Sequence, residues 1–560
     1  MAQPAPAVTL HNMSRRRTTL IELITITGFC AFLFYFGLSA FGLVGADEPR
    51  YAQIAREMLA RHDLVTPTLY GKPWLEKPPL YYWRAMETYW ALGVSDWAAR
   101  LPSATAATFM VAVIYFLLRR FQPGSQLNGA LMTAASAGVI GFARGAGTDM
   151  LLAAAFVVGM LAWFAWYAAE RRLWLVFFWF FIALGMLAKG PVAPLLAALI
   201  IVIFALVQRD VRLITRTLWL PCILLFLAVS LPWYVAVQLQ NPQFLREFIF
   251  QHNLGRFASN MYHHRQPFWY FVPVLLLSVM PWTALVIAGW VENIKEWHEQ
   301  PMAHPSKRGL GGAPTEREGT LSRFLLIWTV VVVVFFSISA SKLPGYILPA
   351  VPACTILAAD WVSRRERLGW ALVIAQGALS GGLLALALLY PHLLVNRHSV
   401  PGEARWLALG IGVVVFLATV SVLTRKGAGA LRLVVLTPVI VGLAFLLRIG
   451  APVIDNALSA RPVVREITQM EGHPVEVAVF NATREAEYGL AFYRNQPIPR
   501  YERGEVPPQD HLVVVPEAYA DEFVKAVRPR RASHLGSFTP QRLEFYWVST
   551  PPPMAMEHQH

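Results

Sequence analysis

Apolar stretches of membrane-spanning length recur along the chain and constrain its fold more than any other feature. A bilayer core takes about 20 apolar residues of helix, and about thirteen stretches approach that length: 19–43, 99–120, 127–143, 150–169, 173–188, 191–207, 214–237, 268–290, 321–338, 345–362, 368–391, 405–424 and 430–450. Only 15% of the 560 residues are charged, against about 25% in soluble proteins. The sequence therefore predicts a mainly α-helical, polytopic membrane protein.

Basic residues indicate which loops face the cytoplasm. With the N-terminus inside, alternate loops carry Arg119-Arg120, Arg171-Arg172, Arg364-Arg365 and Arg425-Lys426 with little acid, as the positive-inside rule requires. These loops account for much of the formal net charge of +14, so nucleic acid is not predicted as a partner. An odd number of spans places the C-terminus on the outer side.

The character of the chain changes after about residue 455. Short β-type runs at 475–480, 511–515 and 543–548, with a helical segment at 518–527, predict a small α/β domain on the outer face. The predicted organisation is a membrane domain at 1–455 with outer loops 44–98 and 238–267, an outer domain at 456–550 and a tail at 551–560. The outer domain is expected to be a structural cap or to dock an acceptor.

Charged residues cluster in the predicted outer loops. Placing ionisable groups next to a membrane is energetically unfavourable, so such a cluster usually marks a functional site. The candidates are Asp47, Glu48, Arg50, Glu76, Lys77, Arg144, Asp149, Lys189, Arg265 and Lys342. Arg50, Lys77, Arg265 and Lys342 are predicted to bind a phosphate through charge-assisted hydrogen bonds. Asp47 and Glu76 are predicted to bind a second substrate or to act as acid or base.

The segment that follows Asp47 is predicted to be an amphipathic helix lying on the membrane surface. One face carries Tyr51, Ile54, Ala55, Met58 and Leu59, and Arg50, Gln53, Arg56 and Glu57 fall elsewhere. Asp47 or Glu48 can cap this helix, with Pro49 in its first turn.

Plainer roles compete with the catalytic ones. An isolated basic residue can anchor to anionic lipid headgroups, and Asp47 can be a helix cap. Glu76 with His263 and His264 forms a candidate divalent-metal site, with zinc as the metal, or else the histidines hydrogen-bond near the headgroups. The runs at 189–191 and 341–346 can be tight turns between helices.

Two motifs in the first outer loop carry a family resemblance. Asp-Glu-Pro-Arg-Tyr-Ala at 47–52 and Trp-Leu-Glu-Lys-Pro-Pro-Leu-Tyr-Tyr-Trp at 74–83 resemble the membrane glycosyltransferases of the GT-C class, in their protein-mannosyltransferase-related branch. Leu-Ala-Lys-Gly-Pro at 187–191 and Ser-Lys-Leu-Pro-Gly-Tyr at 341–346 are similar to that branch too. Within it, the chain is most similar to the bacterial undecaprenyl phosphate-aminoarabinose:lipid A transferases, over about residues 15–450 and the outer domain.

The resemblance implies a GT-C fold in the bacterial inner membrane, with the active site and the C-terminal domain in the periplasm. It implies transfer of 4-amino-4-deoxy-L-arabinose from undecaprenyl phosphate to a lipid A phosphate, which gives resistance to polymyxin and other cationic peptides. No cofactor is required, and a monomer in contact with membrane lipids is expected. The resemblance implies a catalytic role for Asp47. Glu76 and Asp149 complete the predicted catalytic residues, as acidic groups to pair with the sugar amine.

The remaining implied contacts concern the donor. Its phosphate is expected to be held by Lys77 and Arg50, together with Arg265, Lys342 and Tyr346. Contact with the lipid or the sugar is expected from Tyr81, Tyr82 and His264.

Two other functions stay open at this point. A GT-C transferase for another sugar or acceptor, such as a protein O-mannosyltransferase or an arabinosyltransferase, fits the same motifs. A flippase of lipid-linked sugars fits the hydropathy, but transporters tend to show internal repeats and midplane polar residues. The chain has no evident repeat, and its charged residues lie at one face, which favours an enzyme.

Overall fold

The computed structural model describes residues 7–248, 266–299, 314–395 and 401–549. The helices of the first half are α1 Ala7–Cys30, α2 Asp47–Arg61, α3 Leu80–Leu92, α4 Asp96–Phe121, α5 Gln126–Ala134, α6 Ala137–Ala143, α7 Thr148–Ala169, α8 Arg172–Lys189, α9 Val192–Val207, α10 Arg212–Thr217 and α11 Leu220–Gln240. Those of the second half are α12 Phe271–Ser278, α13 Thr283–Glu299, α14 Pro314–Ile338, α15 Val351–Ser363, α16 Trp370–Val395, α17 Gly402–Lys426, α18 Leu431–Phe445, α19 Ala451–Leu458, α20 Ala460–Met470, α21 Arg484–Arg494 and α22 Ala520–Ala526. The strands are β1 Thr68–Leu69, β2 Lys72–Pro73, β3 Val477–Val479, β4 His511–Pro516, β5 Arg531–Phe538 and β6 Leu543–Ser549.

The predicted helical, polytopic membrane architecture is confirmed, but with fewer spans than the sequence predicts. In the described ranges, ten helices are long and apolar enough to cross a bilayer, or eleven if one bent pair counts as a span. Predicted span 268–290 corresponds to α12 and α13, which bend by 115° where they meet. Predicted span 191–207 is the 16-residue α9, and 127–143 is divided into the short α5 and α6 by the extended backbone of Ser136.

Helix α7 is the central element of the membrane domain. It is 94% buried within the protein and packs against α4, α8 and the 3-10 turn Pro344–Ala350. Asp149 lies in its first turn. A carboxylate there is favoured by the positive end of the helix dipole and is carried by an element that its neighbours hold on all sides.

Two arginines fix the outer end of the first span. Arg144 donates to the carbonyls of Leu33, Phe36 and Gly37 at 2.8–3.1 Å. Arg100 donates to three further carbonyls at 2.8–2.9 Å, those of Leu38, Phe41 and Gly42. The last carbonyls of a helix have no partner inside it, so these guanidiniums satisfy them and hold the segment that leads into α2.

The C-terminal part of the chain forms a four-stranded sheet in the order β3-β4-β6-β5. Strand β4 pairs with β3 in parallel and with β6 antiparallel, and β5 pairs with β6 antiparallel. The β-type runs predicted at 475–480, 511–515 and 543–548 contain β3 and most of β4 and β6. Strand β5 escaped prediction because it is an edge strand with mostly exposed residues and so has no apolar alternation.

The C-terminal part docks on the membrane domain through a compact ionic group. Arg461 pairs with Asp455 at 2.6 Å and with Asp96 at 2.8 Å. Asp96 also accepts from the Tyr493 hydroxyl at 2.6 Å, and Asp455 accepts from the Gly42 amide at 2.7 Å. All three charged side chains are at most 16% exposed, so this contact fixes α20 and α21 relative to the first outer loop.

Helix α2 is present, but the expectation that it lies at the surface is wrong. Arg50 and Gln53 are only 8% and 6% exposed. Helix α21 packs against α2, and Arg56 donates to the Phe492 carbonyl at 2.7 Å. The helix is therefore enclosed between the membrane domain and the C-terminal part, and both its faces are in contact with protein.

Candidate active site

Asp47 lies beyond the C-terminal end of the first span, in the first turn of α2. Its carboxylate accepts a hydrogen bond from Arg50 Nη2 at 2.5 Å. The Asp47 side chain is 62% exposed, whereas that of Arg50 is 9% exposed. The pair thus presents an accessible carboxylate in front of a buried cation.

Three aromatic rings surround the Arg50 guanidinium. Its Cζ lies 5.1 Å from the ring centroid of Tyr51, 5.2 Å from Trp74 and 5.6 Å from Tyr488, within cation–π range. Burial lowers the pKa of Arg50, but its interactions with Tyr51, Asp47 and Glu76 raise the pKa above its ordinary value. Arg50 is therefore a permanent cation held by three separate segments of the chain.

Three buried hydrogen-bond donors, one on Arg50 itself and two on its neighbours, have no partner among the described residues. Arg50 Nε, Trp74 Nε1 and the Tyr82 hydroxyl are buried and have no hydrogen-bond partner within the described part of the chain. Glu76 interacts electrostatically with both Arg50 and Tyr82. Because buried polar groups are nearly always hydrogen bonded in proteins, three such donors close to a carboxylate are suited to receive a polar, anionic ligand.

Three tyrosines pack together next to Arg50. The rings of Tyr51, Tyr81 and Tyr82 pack with centroids 6.0–6.2 Å apart. The Tyr81 hydroxyl donates to the Ala99 carbonyl at 2.9 Å, so it is already engaged. Burial raises the pKa of Tyr81 and of Tyr82, which keeps both phenols protonated as hydrogen-bond donors. Their contact with the lipid or the sugar stays a prediction.

Glu48 connects the elements around Asp47. Its carboxylate pairs with Arg100 Nη2 at 2.7 Å and accepts from the amides of Val44 at 2.8 Å and Ala146 at 2.7 Å. The Glu48 side chain is 12% exposed and that of Arg100 only 1%. Glu48 therefore ties α2, α4 and the turn before α7 together and brings Asp47 and Asp149 to one region.

Asp149 belongs to a second charged group. Its carboxylate forms an ion pair with Lys189, and the Lys189 ammonium lies 4.6 Å from the centroid of the Tyr346 ring. A Cβ atom on Gly345 would lie 2.9 Å from Asp149 Cγ, so only glycine fits there without displacing a neighbour. The runs at 187–191 and 341–346 thus converge on Asp149 as parts of one cluster.

An apolar cluster joins the two charged groups. Leu75 and Leu187 pack in it with Trp233, Tyr234 and Phe244. Leu75 precedes Glu76, and Leu187 is two residues before Lys189. The backbone segments that carry Glu76 and Lys189 are therefore both anchored in one buried apolar cluster.

Lys342 is engaged within its own turn. Its ammonium donates to the Ser339 carbonyl at 2.5 Å, the residue is 7% exposed, and burial lowers its pKa. Lys77 is partly exposed and follows Glu76 directly. The predicted roles of both lysines in phosphate binding stay predictions.

The proposed metal site cannot be assembled from the described residues. Glu76 is described, but His263, His264 and Arg265 lie outside the described ranges. Across those ranges, no group of three or more His, Cys, Asp or Glu residues is arranged to hold a metal ion.

Three residues of this region cannot be predicted from the sequence. Arg100 lies inside an apolar span, and nothing in the local sequence indicates its buried partner Glu48. Trp74 begins the motif at 74–83, but the motif does not indicate its contact with Arg50. Tyr488 lies more than 400 residues from Arg50, and no local pattern predicts such a contact.

Comparisons with known proteins agree with the resemblance. Residues 76–235 match the family described as dolichyl-phosphate-mannose-protein mannosyltransferase. The undecaprenyl phosphate-alpha-4-amino-4-deoxy-L-arabinose arabinosyl transferase of Serratia proteamaculans is 30% identical over 407 residues, which are 70% of this chain and 69% of that protein. The protein of the same name from Pseudomonas aeruginosa is 32% identical over 385 residues, 67% of this chain. That match covers 65% of the Pseudomonas protein, slightly less than two thirds of its length.

The fold is also similar to solved structures. The crystal structure of ArnT from Cupriavidus metallidurans bound to undecaprenyl phosphate has a TM-score of 0.76 and 23% identity, covering 95% of this chain and 99% of that one. Its apo form has a TM-score of 0.75 over 96% of this chain and 100% of that one, with the same identity.

Proposed function

The chain belongs to the family of undecaprenyl phosphate-aminoarabinose arabinosyl transferases, and we propose that it transfers 4-amino-4-deoxy-L-arabinose from undecaprenyl phosphate to a lipid A phosphate. The observation that carries the proposal is the buried Arg50 cation, with its unpartnered donors, behind the accessible Asp47 carboxylate. We place the site on the periplasmic side of the bacterial inner membrane, as the pattern of basic loops supports.

The donor phosphate is the leaving group, and its developing charge needs stabilisation. Arg50 is pre-positioned by its three rings, and a fixed cation costs no reorganisation when negative charge develops near it. Lys77 lies beside Glu76 in the same loop and supplies a second positive charge. Arg265 is assigned to the donor phosphate from its charge and its place in the sequence alone, because it lies outside the described residues.

The sugar of the donor is assigned to the two unpartnered donors beside Arg50, Trp74 Nε1 and the Tyr82 hydroxyl. This assignment places the sugar next to the donor phosphate that Arg50 binds.

The acceptor needs positioning more than activation. A lipid A phosphate is already ionised at neutral pH, so a strong general base is not required. Asp47, exposed in front of Arg50, is assigned to orient the sugar and to stabilise positive charge that develops on it. The sugar amine is assigned to Glu76, which interacts electrostatically with Arg50 and Tyr82 and so lies where the sugar is assigned.

The test uses cells that lack their own aminoarabinose transferase. Lipid A mass spectrometry and polymyxin survival are compared for wild type, Asp47→Asn and the matched variant Asp63→Asn, a carboxylate after the end of α2. Aminoarabinose added by wild type and by Asp63→Asn, and lost in Asp47→Asn, is expected. If correctly inserted wild type adds no aminoarabinose, the proposal is wrong and another lipid-linked sugar or acceptor becomes the leading alternative.

A further inference from the structure

A cavity of about 440 Å³ opens between α13, α15 and α16. One part of its lining is aliphatic, with Ile287, Val291, Leu368 and Leu372 among its residues. The other part is charged and consists of Glu292, Lys295, Arg365 and Arg367, with Trp361 at the boundary. The cavity is therefore amphiphilic, as a headgroup joined to a hydrocarbon chain is.

The cavity lies at the face of the membrane opposite the Asp47 site. The span Pro344–Ser363 begins beside Tyr346 and the Asp149 group and ends two residues before Arg365. Its 20 residues extend about 30 Å at about 1.5 Å each. The charged part of the cavity is thus separated from the transfer site by about the thickness of a bilayer core.

The lining of α13 changes from apolar to charged along a single face. Ala284, Ile287, Ala288 and Val291 have the i, i+3, i+4, i+7 spacing of one helix face. Glu292 and Lys295 continue this face towards the end of the helix. A ligand that follows α13 therefore meets hydrocarbon-compatible surface first and charge at the interface.

The four charged residues that line the cavity give its charged part a net positive charge. Arg365 forms an ion pair with Glu292 and stacks on Trp361, with its Cζ 4.4 Å from the ring centroid. Trp361 Nε1 donates to Glu292 at 3.3 Å, so this acid is already compensated. Lys295 and Arg367 form no ion pair with any residue that the structure describes, which leaves two positive charges at the cavity.

We propose that this cavity binds an anionic phospholipid from the leaflet opposite the Asp47 site. Lys295 and Arg367 bind the phosphate, and an acyl chain follows Ile287 and Val291 into the membrane. Basic pockets between spans at this face are suited to anionic headgroups. This proposal does not depend on the reaction at the outer face.

The test is native mass spectrometry of the purified full chain in detergent with added phosphatidylglycerol, phosphatidylethanolamine or inorganic phosphate. Wild type is expected to retain phosphatidylglycerol in preference to phosphatidylethanolamine. The double variant Lys295→Gln/Arg367→Gln is expected to bind phosphatidylglycerol about 30-fold more weakly, since each basic residue near such a headgroup contributes about fivefold. Ala288→Trp, which narrows the apolar part without changing charge, is expected to weaken retention too.

The matched control is Arg209→Gln/Arg212→Gln, which removes the same charge at the start of α10, away from the cavity lining, and should retain the lipid like wild type. Equal loss in this control would show non-specific attraction and overturn the proposal. Equal retention of both phospholipids by wild type would also overturn it. Displacement of phosphatidylglycerol by inorganic phosphate at the same concentration would assign the site to free phosphate instead.

Discussion

Two adjacent carboxylates in the first turn of α2 are expected to respond to mutation in opposite ways. Asp47 is 62% exposed and contacts the buried Arg50. Glu48 is 12% exposed and pairs with Arg100, which is 1% exposed. Removing Glu48 should therefore cost stability, and removing Asp47 should cost activity.

The loss of stability expected for Glu48→Ala follows from the partners of the Glu48 carboxylate that remain unpaired. Removing one partner of a buried ion pair costs about 3–5 kcal/mol, because the remaining charge is uncompensated. Arg100 keeps three carbonyl acceptors, which favours the lower end of that range. The amides of Val44 and Ala146 lose their acceptor as well. We expect a loss of at least about 3 kcal/mol in the free energy of unfolding.

Asp47→Ala serves as the matched variant. Arg50 is buried, but it keeps its three aromatic rings and its interaction with Glu76 when Asp47 is removed. Because Asp47 itself is 62% exposed, we expect a loss of about 1 kcal/mol, so the thermal midpoint of Asp47→Ala should stay well above that of Glu48→Ala. The assay measures the midpoint of thermal unfolding in detergent together with sugar transfer. Glu48→Gln, which keeps the shape and one acceptor oxygen, is expected to fall between wild type and Glu48→Ala.

The reasoning would be refuted by either of two results. One is a loss of stability in Asp47→Ala as large as that in Glu48→Ala. The other is a Glu48→Ala protein that unfolds at the wild-type midpoint, because the buried Arg100 could not then depend on Glu48.

Three further perturbations have definite expected outcomes. Gly345→Ala should lower the transfer rate about a hundredfold. Its Cβ would contact the Asp149 carboxylate at 2.9 Å and displace it, and misplacement of a catalytic group by about 1 Å can have that effect. Unchanged kinetics would contradict a role for the Asp149 cluster in transfer. Tyr488→Ala should lower the transfer rate about fivefold or more by removing one ring from Arg50, and Tyr488→Phe should restore the rate if the ring is what matters. Burial lowers the pKa of His511, so the folded state favours the neutral imidazole. The stability that neutral His511 contributes is therefore present above about pH 6.5, and it declines as the pH falls below that value. Thermal unfolding across this range should show a weaker pH dependence for His511→Gln than for wild type.

Patterns that repeat along the chain predicted most of the fold. The length of the apolar stretches predicted the spans, and the helical spacing of apolar residues after Asp47 predicted α2. The division of 127–143 at Ser136 and the short α9 were not evident, because hydropathy measures apolar length and does not detect where the backbone bends. Strand β5 lacked apolar alternation because it lies at the sheet edge.

The candidate site was predictable only where its residues are close in sequence. Asp47, Arg50 and Glu76 share one outer loop, and the structure brings them together. The charge on Lys342 was evident, but its hydrogen bond to the Ser339 carbonyl was not. Tyr488 and Arg100 act through tertiary contacts with Arg50 and Glu48, and such contacts leave no trace in local spacing.

The most direct measurement of the central claim is transfer by the purified chain in liposomes. Undecaprenyl phosphate-aminoarabinose and a polyprenyl-phosphate mannose would be offered separately with lipid A, and the product would be identified by mass spectrometry. The account predicts that wild type adds aminoarabinose only, and that Asp47→Asn adds none while unfolding at the wild-type midpoint. Mannose transfer by wild type, or full activity of Asp47→Asn, would contradict it.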